Sequence, residues 1–389
     1  MWRECRLAIM CPVTNSSSWF RKEMGVKMRK FRLVIVLAAL MAVAFLSSAA
    51  VSRADDNTAA AAEGDVISIE VSPREQRDTR RMWTRRAMMR AESGDLMTVT
   101  PEELAAALAA TNFAPVNEEP GFAPGSAPMP GAAAMAQAAN PDEWAAAEAV
   151  VPGTNAGIPF SGFLGNYYSN YWKTYPYALV GRMHFTLPNG VATHCTATPI
   201  GPNTIVTAAH CVFDTATNAW HRYVSFCPAY RNGACPYGQF WWTDAYIPTA
   251  YRNASTFANG IRYDVAVVQL ANNQSGYGVH QMVGYLGRSW NQGYSQTVRT
   301  IGYPSKLYTG QYSWICQSGT VYKGADVMEM GCNSGGGHSG GPWIRGFGST
   351  NHVNNVMSYQ ALPESLNIMG AARFSNNNIV VVCNAAPGC

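Results

Sequence analysis

Short apolar or alternating runs recur from about Tyr175 onward, and Gly, Asn and Pro residues separate them. Those three residue types favour turns, so each run has the length of a single strand. Many short strands at nearly regular spacing are typical of a sandwich or barrel and not of alternating βαβ units. The pattern therefore predicts an all-β domain built from ALVGRMHFTL, THCTATPI, TIVTAAH, DVAVVQL, QTVRTIGY, VNNVMSY and NIVVVC.

A different apolar run lies near the N-terminus. The basic stretch Met28–Arg32 precedes the apolar residues Leu33–Leu46, and small residues follow as far as Ala54. This order predicts a signal peptide within residues 1–54, cleaved after Ala54. Two alternatives stay open: the run could be kept as a membrane anchor, or translation could start at Met24 or Met28, which would remove Cys5 and Cys11.

Residues 55–159 have the composition of a pro-region and linker. Thr100-Pro101-Glu102-Glu103 has the signature of a helix start. The Ala-, Pro- and Gly-rich stretch Asn112–Pro159 cannot pack a core, so the region is predicted to be largely disordered. The basic segment Arg74–Arg90 is either a processing site or a solvated charged surface. The remaining residues, 160–389, form the predicted catalytic domain.

Composition narrows the class of protein. Charged residues make up 13% of the chain and the net charge is +4, which does not favour nucleic-acid binding. Of the 10 cysteines, eight follow residue 190, which indicates disulfides in an oxidising compartment. The histidines show no pairing at metal-ligand spacing, and no CxxC occurs. We therefore expect no zinc and no other metal or cofactor.

Three sequence elements carry residues suited to nucleophilic catalysis. His210 follows the strand-like Thr204–Val206, and Asp264 opens an apolar strand in which a carboxylate needs a partner such as an imidazole. Ser339 lies in a glycine-rich stretch that exposes its hydroxyl, and serine needs a neighbouring base to become a nucleophile. The amides of Gly337 and Ser339 are predicted to stabilise an oxyanion. We expect Ser339 as nucleophile, His210 as base and Asp264 as its orienting group.

These elements, TAAHC, the Asp264 strand and GHSGGP in that order, resemble the chymotrypsin/trypsin superfamily of serine peptidases. The stretch Cys332–Ser339 is most similar to a secreted bacterial branch that includes the glutamyl endopeptidases. The resemblance covers roughly residues 170–385. It implies two six-stranded antiparallel β-barrels, with His210 and Asp264 in the first barrel and Ser339 in the second.

The chain departs from the family pattern around the nucleophile. His338 stands where trypsin-like members place the Asp that pairs with a new N-terminus, so removal of a covering pro-segment is the better hypothesis for activation. His338 could be a second base, but adjacent residues on a tight turn seldom face each other, which favours a structural or solvent-facing side chain. Asn333, Ser334 and Ser358 match substrate-pocket positions. Met357 replaces the histidine of glutamyl endopeptidases, which puts glutamyl specificity in doubt.

Four disulfides are expected. A Cys195–Cys211 bridge would close a loop beside His210, and Cys316–Cys332 is implied by the resemblance. Cys227–Cys235 and Cys383–Cys389 follow from nearness alone, while eight cysteines allow about 105 connectivities. Aromatic residues are expected to pack against the barrels, namely Tyr167, Tyr168, Tyr171, Trp172, Trp241 and Trp242.

The favoured function is hydrolysis of peptide bonds through an acyl-enzyme on Ser339 by a secreted or periplasmic, monomeric enzyme acting on polypeptides. An inactive homologue that binds protein ligands is the alternative from another class. A membrane-tethered peptidase is the third hypothesis, and membrane contact requires that the apolar segment be retained.

Overall fold

The computed structural model describes residues 65–93, 97–111, 119–132, 151–153, 158–165 and 172–389, with the backbone alone for 151–153. The chain divides into two units, Met1–Asp56 and Asn57–Cys389, and all described residues belong to the second. The predicted signal peptide with its cleavage point, Cys5 and Cys11, and Tyr167, Tyr168 and Tyr171 lie outside the described residues. None of the described helices is long and apolar enough to cross a membrane.

The described residues are mostly strands, joined by short helices and turns. The strands are β1 (Val66–Glu70), β2 (Glu92–Ser93), β3 (Thr98–Val99), β4 (Gly121–Ala123), β5 (Val151–Gly153), β6 (Phe160–Leu164), β7 (Gly181–Thr186), β8 (Ala192–Gly201), β9 (Thr204–Thr207), β10 (Phe213–Asp214), β11 (Ala219–Trp220), β12 (Arg222–Pro228), β13 (Phe240–Pro248), β14 (Ala266–Leu270), β15 (Gly287–Trp290), β16 (Thr297–Gly302), β17 (Trp314–Gly324), β18 (Val327–Gly331), β19 (Pro342–Arg345), β20 (His352–Ala361) and β21 (Ile368–Ala372). The α-helices are α1 (Pro73–Met82), α2 (Arg85–Arg90), α3 (Pro101–Ala110), α4 (Thr249–Arg252), α5 (Phe257–Gly260), α6 (Val279–Val283) and α7 (Val381–Ala385). Single helical turns lie at Tyr177–Leu179, Ala209–Cys211, Ile261–Tyr263, Tyr308–Gly310, Glu364–Leu366 and Asn376–Val380.

Six antiparallel strands close the first barrel in the order β7, β8, β9, β14, β13, β12 and back to β7. Their apolar runs are buried on both faces, as in β9 and in most of β14. Thr207 at the end of β9 pairs with Ala266 at the start of β14. The chain segments after Thr207 and before Ala266 therefore leave the sheet at the same edge, which brings His210 and Asp264 together.

The second barrel closes in the same way through β16, β17, β18, β21, β20, β19 and back to β16. Residues 332–341, here called the nucleophile loop, connect β18 to β19 and carry Ser339. The two closed barrels confirm the predicted fold class.

The N-terminal region has more regular structure than its composition predicts. Its described parts add β1 to β13, β2 to β8, β3 to β20 and β4 to β15. These strands are short, but β1, β3 and the helices beside them bury apolar side chains, among them Ile67, Trp83, Met88, Val99 and Leu104. Average composition does not predict such segments, because their few apolar side chains are buried against residues of the barrels and not only against one another. The helix start at Thr100 is confirmed by a capping box with Glu103.

Four disulfides join the predicted pairs: Cys195–Cys211, Cys227–Cys235, Cys316–Cys332 and Cys383–Cys389. Trp172, Trp241 and Trp242 are buried, as expected of aromatic residues packed on a barrel. The disulfide between Cys195 on β8 and Cys211 ties the turn that carries His210, the predicted base, to a strand of the first barrel.

Candidate active site

His210 is held by Asp264 through two hydrogen bonds. The Nδ1–H of the imidazole donates to Asp264 Oδ2 at 2.7 Å, and the backbone N–H of His210 donates to Oδ1 at 2.9 Å. The Asp264 side chain is fully buried and that of His210 is 8% exposed. The carboxylate therefore fixes both the ring orientation and the tautomer, which leaves Nε2 as the free nitrogen.

Ser358 provides a third hydrogen bond to the same carboxylate. Its fully buried hydroxyl donates to Asp264 Oδ2 at 2.5 Å. Ser358 lies on β20 of the second barrel, so this contact joins the two barrels directly beside the histidine. The sequence placed Ser358 in the substrate pocket. The structure assigns its side chain to Asp264, and any substrate contact through its backbone stays a prediction.

Ser339 and His210 each present an atom without a protein partner. Within the described residues, Ser339 Oγ and His210 Nε2 are both buried and make no hydrogen bond. The expectation that the glycine-rich stretch exposes the Ser339 hydroxyl is thus wrong for this structure, in which Ser339 is 2% exposed. Buried polar atoms in folded proteins nearly always have a partner, so each exception calls for an explanation. A nucleophile and its base awaiting substrate provide one, because catalytic hydrogen bonds are often long or poorly aligned before substrate binds.

Several carbonyl groups of the nucleophile loop accept hydrogen bonds from backbone N–H groups. The oxygens of Gly335, Gly336, His338 and Ser339 accept from the N–H groups of His338, Ser305, Gly341 and Thr196 at 2.7–3.1 Å. Within the described chain, the N–H groups of Gly337 and Ser339 donate to no protein atom. These are the two amides that the sequence predicted for the oxyanion site.

His338 is a buried structural side chain and does not face solvent. Its ring forms hydrogen bonds with Thr300 Oγ1 at 2.9 Å and Ser334 Oγ at 2.5 Å, and burial lowers its pKa to about 3. Both ring nitrogens are thus engaged away from the nucleophile, which supports the structural role over that of a second base.

The two other predicted pocket residues also have protein partners. The Ser334 hydroxyl is fully buried against His338 and is not available to a substrate in this structure. Asn333 is half-buried, and its Oδ1 accepts from Trp314 Nε1 at 3.0 Å. A pocket role for Asn333 stays a prediction, whereas the Ser334 hydroxyl supports the nucleophile loop through His338.

Two residues that the sequence analysis missed also contact this site. The Phe257 ring lies edge-on to His210, with ring centroids 5.9 Å apart. Thr196 hydrogen-bonds to the nucleophile loop through both its backbone and its side chain. Neither belongs to a catalytic motif, so only the folded arrangement reveals them.

One group of metal-ligand residue types lies in this region. Cys195, His210 and Cys211 have ligand atoms within 4.8 Å of one another. The two sulfurs are bonded to each other in a disulfide, so neither is a thiolate. This donor set does not suit a metal ion.

The chain is similar to known peptidases over its C-terminal part. Residues 195–349 match the family model described as a trypsin-like peptidase domain. The chain is 28% identical over 173 residues to the glutamyl endopeptidase of Bacillus licheniformis, covering 43% of this chain and 49% of that protein. It is 27% identical over 216 residues to a protein named extracellular metalloprotease from Bacillus subtilis, covering 48% and 65%.

Two solved structures are also similar to part of the chain. A thermostable serine protease, AL20, from an extremophilic microorganism has a TM-score of 0.47 at 25% identity, covering 54% of this chain and 96% of that one. A Glu endopeptidase has a TM-score of 0.45 at 22% identity, covering 55% and 93%. The chain spans about half to two thirds of the length of the curated relatives it matches, 49% and 65%. Residues 195–349 are thus similar to trypsin-like peptidase domains, and a glutamyl endopeptidase is among the relatives of the chain.

Proposed function

We propose that this chain is a secreted serine endopeptidase that cleaves polypeptides through an acyl-enzyme on Ser339. One observation carries the proposal: Ser339 Oγ and His210 Nε2 are both buried without partners, while Asp264 holds the other side of the His210 ring. This arrangement suits proton transfer from a hydroxyl to an imidazole.

Each step of the proposed reaction uses groups of this site. Ser339 Oγ attacks the carbonyl carbon as its proton passes to His210 Nε2, and the imidazolium is stabilised by Asp264. The N–H groups of Gly337 and Ser339 bind the oxyanion of the tetrahedral intermediate. His210 then returns the proton to the leaving amine as the C–N bond breaks. Water, deprotonated by His210, releases the acyl group and restores Ser339.

We also propose that residues 97–111 hold the enzyme in a zymogen form. β3 pairs with β20 just after Ser358, through Gln360 N–H to Met97 O at 2.9 Å and Leu362 N–H to Val99 O at 3.0 Å. An extended substrate needs a free strand edge beside the nucleophile to hydrogen-bond with. In this form that edge of β20 is occupied by the chain itself.

The helix that follows β3 extends this cover to the histidine. Val99 and Leu104 belong to one apolar cluster with Tyr359, which follows Ser358. Phe257, whose ring lies against His210, packs on the same cluster. Displacing residues 97–111 would therefore uncover both sides of the site, in line with activation by removal of a covering pro-segment.

Export is proposed from the sequence and the cysteines together. Four disulfides need an oxidising compartment, and the apolar run before Ala54 supplies an export signal. Sequencing the N-terminus of the exported protein tests this proposal and separates a cleaved signal from a membrane tether. A start beyond Ala54 supports secretion, and retention of Leu33–Val51 supports the tether.

A serine-reactive fluorophosphonate probe tests the proposed chemistry. We expect the exported, processed protein to be labelled at Ser339, and the Ser339→Ala variant not to be labelled. Ser349→Ala, which removes an exposed hydroxyl, is the matched control and should label like the wild type. A folded, processed wild type that resists the probe would support the inactive, ligand-binding homologue instead.

A further inference from the structure

Thr196 lies where the first barrel meets the nucleophile loop. It is fully buried on β8, next to the disulfide-bonded Cys195. Its backbone N–H donates to Ser339 O at 2.8 Å, and its hydroxyl donates to Gly337 O at 2.8 Å. The same hydroxyl accepts from Tyr303 N–H at 3.1 Å. Because Tyr303 provides a proton, the single hydroxyl proton of Thr196 is directed to Gly337.

Gly337 is the residue of the loop whose peptide groups most need such support. Its φ is +91°, and a Cβ at this position would lie 2.4 Å from His194 Nε2 and 2.5 Å from Tyr303 O. Only glycine fits there, and glycine itself leaves both flanking peptide planes free to rotate. The orientation of the Gly337 amide must therefore come from its neighbours.

Two hydrogen bonds fix these two peptide planes. Ser305 N–H donates to Gly336 O at 2.7 Å and sets the peptide plane that contains the Gly337 N–H. Thr196 Oγ1 sets the next plane by holding Gly337 O. In a trans peptide the N–H points away from the carbonyl. Holding Gly336 O against Ser305 thus leaves the Gly337 N–H free to face the oxyanion.

We propose that Thr196 is a positioning residue for catalysis: its hydroxyl holds Gly337 O and so fixes the peptide plane that follows Gly337, which, together with the plane held by Ser305, keeps the Gly337 N–H in place for oxyanion binding. The inference rests on the proposed function, since it assigns the Gly337 amide a role in the reaction. Thr196 touches neither the substrate nor the reacting atoms. Its effect is transmitted through the carbonyl of Gly337, and it makes the oxyanion site depend on a strand of the other barrel.

Thr196→Val tests this role because it keeps the shape and removes the hydroxyl. We expect kcat to fall by about 10- to 100-fold with KM within about twofold, because the lost contact acts on the transition state and not on substrate binding. Fluorophosphonate labelling of Ser339 should slow in parallel, since the probe also places an oxygen against these amides. Thr196→Ser keeps the donor and should recover most of the rate.

Thr198→Val is the matched control. Thr198 lies two residues further along β8, is equally buried, and its hydroxyl has no partner within the described residues. This variant should leave kcat and the labelling rate unchanged. All rates are compared at equal folded concentration, measured by near-ultraviolet circular dichroism. Thr196→Ala, which cannot overpack the site, replaces Thr196→Val if the latter does not fold.

The outcomes separate the inference from the function on which it rests. A wild-type kcat in Thr196→Val, or an equal loss in Thr196→Val and Thr196→Ser, overturns the positioning role. A rise in KM without a fall in kcat overturns it as well. Absence of Ser339-dependent turnover in the processed wild type overturns the proposed function first, and the inference with it.

Discussion

Gly337 shows how one position can be constrained by its neighbours and by the chemistry at once. The atoms that exclude a side chain there are His194 Nε2 and Tyr303 O, which are themselves hydrogen-bonded to each other at 3.1 Å. Burial and the positive charge of Arg182 lower the pKa of His194 to about 3, so it packs as a neutral ring. The proposed oxyanion donor Gly337 is therefore packed against residues that have no role in the proposed reaction steps.

Gly337→Ala should abolish most activity. The added methyl group would collide with His194 and Tyr303, so the loop must move, and displacement of an oxyanion donor costs about 10²- to 10³-fold in kcat. Gly348→Ala is the control: its φ of +84° is similarly unfavourable for alanine, but no atom lies within 4 Å of a new Cβ. Steady-state kinetics compares the two, and an active Gly337→Ala variant would contradict the assigned donor.

At the residue scale, the sequence predicts the proposed catalytic residues better than the residues that hold them in place. His210, Asp264 and Ser339 stand in recognisable motifs, and the structure shows the His210–Asp264 hydrogen bonds among the contacts expected of them. No sequence motif marks Thr196 or Phe257, and none indicates that the Ser358 side chain bonds to Asp264. A threonine that holds a carbonyl looks the same in sequence as any strand threonine, and its neighbour Thr198 makes no such contact.

At the scale of elements, the N-terminal segments divide into two kinds. β1, α1 and α2 pack on the outside of the first barrel, where the Trp83 Nε1–H donates to Tyr223 O at 2.5 Å. β3 and α3 instead pack beside Tyr359, which follows Ser358, and Phe257. We expect the first group to support the fold and the second to restrain activity.

Leu104→Glu should activate the unprocessed chain. Leu104 is buried at 3% exposure, and a charge placed there without a partner is costly, so α3 should detach. Fluorophosphonate labelling of Ser339 should accelerate by about tenfold or more if α3 detaches in most molecules. Glu102→Gln, at an exposed position of the same helix, is the control.

Hydrogen exchange at residues 101–110 shows whether α3 has detached in these variants. A detached helix with unchanged labelling would contradict the zymogen proposal. Failure of Leu104→Glu to fold would instead show that α3 supports the fold.

Ile67→Ala should destabilise the folded protein. Ile67 on β1 is 1% exposed and belongs to the hydrophobic cluster that includes the first barrel, and truncating such a side chain costs about 2–5 kcal/mol in the free energy of unfolding. Urea unfolding measures this cost, with the exposed Glu70→Gln on the same strand as reference. An unfolding free energy equal to that of the reference would show that β1 is dispensable.

The sequence predicted the barrel strands well because each run carries its own apolar pattern and turn residues. β2 and β3 are two residues long, so they have no periodicity to detect. Their position follows from pairing with β8 and β20, which is set only after the barrels form. The capped start of α3 was predictable because its hydrogen bonds are local.

At the scale of the whole molecule, several buried histidines link stability to pH. Burial lowers the pKa of His184, His194, His221 and His338, and Arg182 lowers the first two further. Unfolded histidine titrates near pH 6.5. Below that pH the unfolded chain binds protons that the folded chain does not. The stabilisation that these neutral, buried histidines contribute is therefore intact above pH 6.5. It is lost as the pH falls towards about 4 for His221 and about 3 for His194 and His338.

The free energy of unfolding should therefore decrease from pH 6.5 to pH 5, by up to about 1.4 kcal/mol per pH unit for each such histidine. Urea unfolding of the Ser339→Ala variant, which cannot digest itself, measures the slope. His221→Phe should make the slope shallower, because Phe can occupy the stacked position against Phe185 without titrating. A flat profile, or an unchanged slope in His221→Phe, would contradict this account.

The central claim is that Ser339 makes this chain an endopeptidase. The most direct measurement exposes a denatured proteome to the processed wild type and, in parallel, to Ser339→Ala, and maps new peptide termini by mass spectrometry. We predict internal cleavages that occur only with the native serine, and their flanking residues report the side-chain preference. A folded, processed wild type that produces the same termini as Ser339→Ala would contradict the claim.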